Sequence, residues 1–210
     1  ILLLISFLPL LCFGQRSFFE AQQADDDYHA FVNIISPGSV TNTTYRDAVI
    51  ILSKDFKVYG VWSILRAVWP VVGGTSTAHA QDLLNTFDLT FNNGSGGWTH
   101  DANGMQGSGT AYAATGANPR TIWSDNLGGL GIYIRTNSNG TLADMGACNL
   151  ESATEQTAIW ARFGDTYYGI PNCTSGLPSV ANTDSRGWFF VSRTAASGAN
   201  SMYVQKNSTQ

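Results

Sequence analysis

The chain has 210 residues, 12% of them charged, and a formal net charge of −4. That length holds one domain with some decoration, and low charge with abundant glycine, hydroxyl, amide and aromatic residues fits a secreted β domain. The negative balance and the lack of any basic run argue against a nucleic-acid partner, because phosphate binding draws on clustered Lys and Arg.

Ile1–Gly14 is an apolar run broken only by Ser6 and Pro9 and ended by Gln15 and Arg16. It is too short to span a bilayer as a helix, which takes about 20 apolar residues. It predicts the apolar core of a signal peptide, with Cys12 and Gly14 as the small residues before a cut at Gln15. A truncated membrane anchor and a buried core helix are the competing readings, and Pro9 weighs against the second. No Met and no basic residue precede Ile1, so the chain reads as starting inside a longer frame. The mature part is then expected to be secreted or at a cell surface, and not an integral membrane protein once cleaved.

Residues 15–84 read as a linker followed by a helical segment. Asp25-Asp26-Asp27 precede Tyr28, Phe31, Val32 and Ile35 at helical spacing, with the acids where a helix dipole favours them. Ser36-Pro37-Gly38 ends that helix. A second is predicted from Thr43 or Thr44 to about Tyr59, with Ala48, Val49, Leu52 and Phe56 on its apolar face and Gly60 as its stop. A third, short one is predicted over Val61–Val68, closed by Pro70 and Gly73-Gly74.

From about Leu84 the pattern changes. Short runs of Thr, Val, Ile, Phe, Tyr and Trp alternate with Gly, Asn, Ser and Pro clusters, as in an antiparallel β-sandwich. The predicted strands are Phe87–Phe91, Gly97–His100, Thr110–Ala114, Leu130–Arg135, Leu142–Ala147, Thr157–Phe163, Thr166–Ile170, Gly187–Arg193 and Ser201–Lys206. Gly187–Arg193 is apolar on both faces and therefore predicted to be central. Asn92-Asn93-Gly94, Asn103-Gly104 and Asn139-Gly140 supply turn residues that tolerate positive φ. Only Asn207-Ser208-Thr209-Gln210 follow the last predicted strand, so the sandwich, placed at residues 85–210, reads as open at its C-terminus too.

With Cys12 removed, Cys148 and Cys173 are an even pair in an exported chain, and a disulfide and two free thiols are both open readings. Five sequons, at Asn42, Asn93, Asn139, Asn172 and Asn207, imply exposed loops if the source glycosylates, and only loop composition in a bacterium or phage. Catalytic patterns fail. His29, His79 and His100 are isolated from one another and lack metal-ligand spacing. Gly107-Ser108-Gly109 is no nucleophile elbow, and Gly129-Leu130-Gly131 lacks the third glycine of a dinucleotide loop.

The strand pattern resembles the concanavalin A-like, laminin-G-like jelly roll. Thr86-Phe87-Asp88-Leu89-Thr90-Phe91 resembles its opening strand. Trp98-Thr99-His100, Asn103-Gly104-Met105 and Gly109-Thr110-Ala111-Tyr112-Ala113 resemble its entry. Gly187-Trp188-Phe189-Phe190-Val191-Ser192-Arg193-Thr194 and Ser201–Asn207 resemble its paired central strands. Gly60-Val61-Trp62 through Trp69-Pro70-Val71-Val72-Gly73-Gly74, with His79, is similar to a preamble of such domains in uncharacterised Bacteroidetes and phage surface proteins. The likeness covers about residues 45–206.

The resemblance implies a mainly β protein, a jelly-roll β-sandwich preceded by two or three short α-helices. It implies a binding module for carbohydrate or another surface polymer. Glycosidases on this fold carry a close carboxylate pair, whereas Asp144, Glu151, Glu155 and Asp165 are dispersed, so the chain is expected to be non-enzymatic. Such domains often hold calcium with loop oxygens, which makes Asp125, Asp144 and Asp165 candidate ligands; otherwise no cofactor is expected. Aromatic faces stack on pyranose rings while loop amides supply hydrogen bonds. Trp98, Trp123, Trp160, Tyr167 and Tyr168 are the candidate platform, with Trp62, Trp69 and Trp188 assigned to the core. A structural or adhesive module that binds protein in a cell-surface or phage appendage is the alternative, and a glycoside hydrolase the third reading.

Overall fold

The computed structural model describes residues 43–118, 122, 128–148, 156–173, 178–194 and 202–207. The predicted signal segment, linker and first helix lie outside the described residues, as do Trp123 and Asp125. The described chain is mainly β, with antiparallel sheets, and forms two compact units that meet in sequence at Gly116 and Ala117. The predicted boundary at residue 84 therefore falls inside the first unit. No helix among the described residues is long and apolar enough to cross a membrane.

The first unit opens with helix α1 (Thr43–Val58). Val49 is buried and Leu52 and Phe56 are half-buried, as the periodicity predicts, while Ala48 is exposed. Gly60 adopts φ +69°. Its N–H reaches the Lys57 carbonyl and that of Val61 the Phe56 carbonyl, the double bond of a Schellman cap. The predicted third helix shrinks to a single 3-10 turn, Trp62–Ile64, after which Leu65 is extended. The cause lies downstream. Val68 is pinned to the loop at Asp82: its N–H bonds the Asp82 carboxylate at 2.7 Å and its carbonyl accepts from the Leu83 N–H at 2.7 Å.

A short helix, α2 (Ser76–Ala80), was not predicted; Thr75 caps it by accepting from the Ala78 N–H. Val49, Ala78 and Leu83 form the core of this unit, with Ile50, Trp62, Val68 and Val72 packed against it. Four strands complete it: β1 (Thr90–Asn92) pairs with β4 (Tyr112–Ala114), and β2 (Gly97–Asp101) with β3 (Gly104–Ser108).

The second unit has two sheets. In one, β5 (Gly128–Ile134), β10 (Gly187–Arg193) and β11 (Met202–Lys206) lie in the order β11-β10-β5. In the other, β6 (Met145–Cys148), β7 (Gln156–Phe163), β8 (Thr166–Cys173) and β9 (Ser179–Ala181) run in sequence order. Gly164 and Asp165, both near φ +57°, form the two-residue turn between β7 and β8. The inward residues of both sheets share one core: Ile159, Ala161, Tyr167, Phe189, Val191 and Val204. Strand β10 is central, as its two apolar faces predict.

Cys148 pairs with Gln156 across β6 and β7, and Cys173 pairs with the same Gln156 across β7 and β8. Two strand spacings set their Cα atoms about 10 Å apart, whereas a disulfide spans less than about 7 Å. Of the two open readings, this backbone spacing favours free thiols over a disulfide. Maleimide applied to denatured, unreduced protein should label both cysteines, as peptide mass mapping will read. Labelling of both only after reduction would mean that the ladder opens at Gln156.

Candidate functional site

Strands alternate their side chains between faces. With Leu130, Ile132, Phe189, Val191 and Val204 turned to the core, the opposite residues of the same three strands must face away from it. Those are Gly129, Gly131 and Tyr133 on β5, Trp188, Phe190 and Ser192 on β10, and Tyr203 and Gln205 on β11. Trp188 is 59% exposed, and Tyr133, Phe190 and Tyr203 are exposed with it. None of these outward residues carries a charge.

The ladder orders the face. Trp188 sits opposite Tyr133, with ring centroids 5.3 Å apart and a 48° tilt. Phe190 sits opposite Gly131 and Gln205, and Ser192 opposite Gly129 and Tyr203. The Phe190 ring leans across β5: a Cβ on Gly129 would come within 2.9 Å of its Cζ, and one on Gly131 within 3.2 Å of its Cδ2. Bare glycines are therefore what allow the ring to lie over the neighbouring strand. Asn207 anchors the end of the face, its side-chain oxygen accepting from the Trp188 N–H at 2.8 Å and its N–H bonding the Trp188 carbonyl at 3.0 Å.

The predicted platform residues are scattered. Tyr167 is 1% exposed, stacks edge-on against Phe189 at 5.0 Å and donates its hydroxyl to the Phe190 carbonyl at 2.7 Å. It is a core residue, and burial pushes its hydroxyl pKa well above the usual tyrosine value. Trp160 and Tyr168 are cross-strand partners, both half-buried, with Phe163 edge-on to Tyr168 at 6.1 Å. Trp98 belongs to the first unit, half-buried against Phe91 and donating to the Asn92 carbonyl at 3.1 Å. Trp123 lies outside the described residues. Trp62 does pack on the core and Trp69 bonds the Phe87 carbonyl, but Trp188, assigned to the core, is among the most exposed rings.

The candidate calcium ligands have other work. Asp144 accepts the Ala161 N–H at 2.8 Å, and burial raises its pKa while that bond partly offsets the rise. Asp165 is held by Arg162 at 2.6 Å. Asp125 lies outside the described residues. Among the described residues no group of three metal-ligating side chains forms.

The sequence reading missed one contact in the first unit. His79, fully buried on α2, meets His100 on β2 with their Nδ1 atoms 3.0 Å apart. The Gly74 N–H donates to His79 Nε2 at 3.2 Å, so Nε2 is bare and the ring proton sits on Nδ1. That proton is donated to His100 Nδ1. Phe91 lies edge-on to His100 at 4.7 Å and Trp98 stacks on it at 6.1 Å. Burial, then the His100 charge, push the His79 pKa down to about 4, against the pull of Asp101. Burial lowers the His100 pKa too. No sequence spacing links residues 79 and 100; only the packing of α2 on the sheet brings them together. The pair is neutral and joined through its Nδ1 atoms, which suits a structural role.

Comparison with protein-family models, with curated proteins and with solved structures yields no match.

Proposed function

We propose that the second unit is a non-enzymatic glycan-binding module that holds carbohydrate on the outer face of β5, β10 and β11. The single observation that carries this is the uncharged exposed aromatic face of Tyr133, Trp188, Phe190 and Tyr203. Leaving such rings in water gains nothing for folding, since about 25 cal/mol is forgone for each Å² of apolar area left uncovered. Rings of this kind stack on the C–H faces of pyranose sugars, and Ser192 and Gln205 offer neutral hydrogen-bonding groups beside them. The two-layer packing and the pairing of β5 with the distant β10 support a concanavalin A-like scaffold. Export rests on the apolar run Ile1–Gly14.

The size of the face favours a glycan over a protein partner in an appendage. Strands of seven, seven and five residues have a footprint of roughly 310 Å². A stable protein interface takes about 800 Å² from each partner.

Affinity electrophoresis of the full chain through gels containing single polysaccharides tests the reading. Trp188→Ala should weaken retardation by about tenfold or more. Trp160→Ala, on the other sheet, should leave retardation unchanged. Far-UV circular dichroism should be the same for all three proteins. Equal retardation of Trp188→Ala and the parent would remove the face from consideration; loss in Trp160→Ala alone would move the site to the other sheet.

A further inference from the structure

We infer that this face takes a neutral, unbranched glycan laid diagonally across the sheet from Tyr133 to Tyr203, an inference that rests on the glycan-binding reading above. The ladder fixes the stations. Tyr133 and Trp188 share one level, Phe190 lies two residues further along β10, and Tyr203 shares the level of Ser192, two residues further again. At about 3.4 Å per residue the three levels span roughly 14 Å along the strands, and β5 to β11 is about 10 Å across. The aromatic line therefore runs roughly 17 Å corner to corner. One sugar ring covers one station; only an oligomer reaches all of them.

Charge and shape narrow the class. No outward position within β5, β10 or β11 is ionised; Arg135 and the Asp184-paired Arg186 lie one step beyond the Tyr133–Trp188 level, outside the strands. A uronic or sulfated sugar lying between Tyr133 and Tyr203 would shed water over strands that place no cation on this face. The low floor at Gly129 and Gly131, overlain by the Phe190 ring, leaves no wall to hold a side branch. A chain joined through equatorial bonds keeps its flat C–H faces against successive rings, and a branch directed at the sheet would lift it away.

Calorimetric titration of the full chain with glucose, with β-1,4-linked glucose oligomers of increasing length, with an oligogalacturonate and with a branched glucan tests this. Affinity should rise by about tenfold or more from glucose to the tetramer and then level off. The oligogalacturonate and the branched glucan should bind more weakly than the linear neutral tetramer. Tyr203→Ala should abolish the gain of the longer oligomers and leave the dimer unaffected, while Trp188→Ala should weaken every length. Glucose binding as tightly as the tetramer, a preference for the acidic or branched glycan, or equal losses for Tyr203→Ala at all lengths would overturn the diagonal path while leaving a glycan site standing. No binding of any of these sugars would overturn the glycan-binding reading itself, and this inference with it.

Discussion

Asp82→Ala is expected to lower the stability of the first unit by about 3 kcal/mol or more. Asp82 is 1% exposed, and its carboxylate accepts the backbone N–H groups of Val68, Leu84, Thr86 and Phe87 at 2.7–3.2 Å. The Asp82 N–H in turn donates to Asp88 at 3.1 Å. Alanine leaves those four donors without their acceptor, and each buried orphan costs about 1–3 kcal/mol, less where water can reach it. Domain stability is only about 5–15 kcal/mol in total, so the loss is a large part of what holds this unit. Hydrogen exchange read by mass spectrometry should show peptides over residues 65–89 losing protection, while those over β10 keep theirs. Asp82→Asn, which turns an NH2 group towards two of the four donors, should fall between. Unchanged exchange over 65–89 in Asp82→Ala would show that the carboxylate does not organise the loop.

Acid should weaken the same unit through His79. Its pKa is about 4 in the folded chain against 6.5 for the free side chain. The folded state therefore resists a proton that the unfolded state accepts. The sign follows: His79 favours folding fully above pH 6.5, and that contribution is lost as the pH falls towards 4. At about 1.4 kcal/mol per pK unit the loss amounts to roughly 3 kcal/mol. His100, also depressed by burial, acts in the same direction, while Asp101 partly opposes the shift of His79 by favouring its charged ring. His79→Gln is the useful comparison. Its amide can accept from the Gly74 N–H and donate to His100 without titrating. Denaturant midpoints measured from pH 7 to pH 4 should fall more steeply for the parent than for His79→Gln. Parallel pH slopes would mean that carboxylates, and not the buried pair, govern the acid limb.

Much of the fold was legible. Gly187–Arg193 is a strand with the predicted bounds, because Val, Phe and Trp crowd it and Gly187 opens it. Helix α1 follows its apolar period and ends at its glycine. Strand β3 was missed because Gly104-Met105-Gln106-Gly107-Ser108 has no β-branched or ring residue, and is held as a strand by pairing with β2. Strand β9 is only Ser179–Ala181. The predicted opening strand from Phe87 begins late, at Thr90, since the Phe87 N–H is already committed to Asp82.

Which aromatic rings are exposed was not legible. Adjacent residues such as Tyr167 and Tyr168 necessarily face opposite ways, and the sequence does not say which side the partner sheet covers. Tyr167 proved to be core for that reason. Trp188 was assigned to the core, on a strand that is apolar on both faces. The second layer, β7 and β8, covers only the side of Phe189 and Val191.

That division within β10 has a consequence for substitution. Folding reads the odd-numbered residues Phe189 and Val191, while the even-numbered Trp188 and Phe190 stand outside the core. Exchanging an exposed side chain away from special features moves stability by only about 0.5 kcal/mol. One seven-residue strand thus carries two sets of positions: Phe189 and Val191 are tied to the core, while Trp188 is free of it and Phe190 answers only to the glycines of β5.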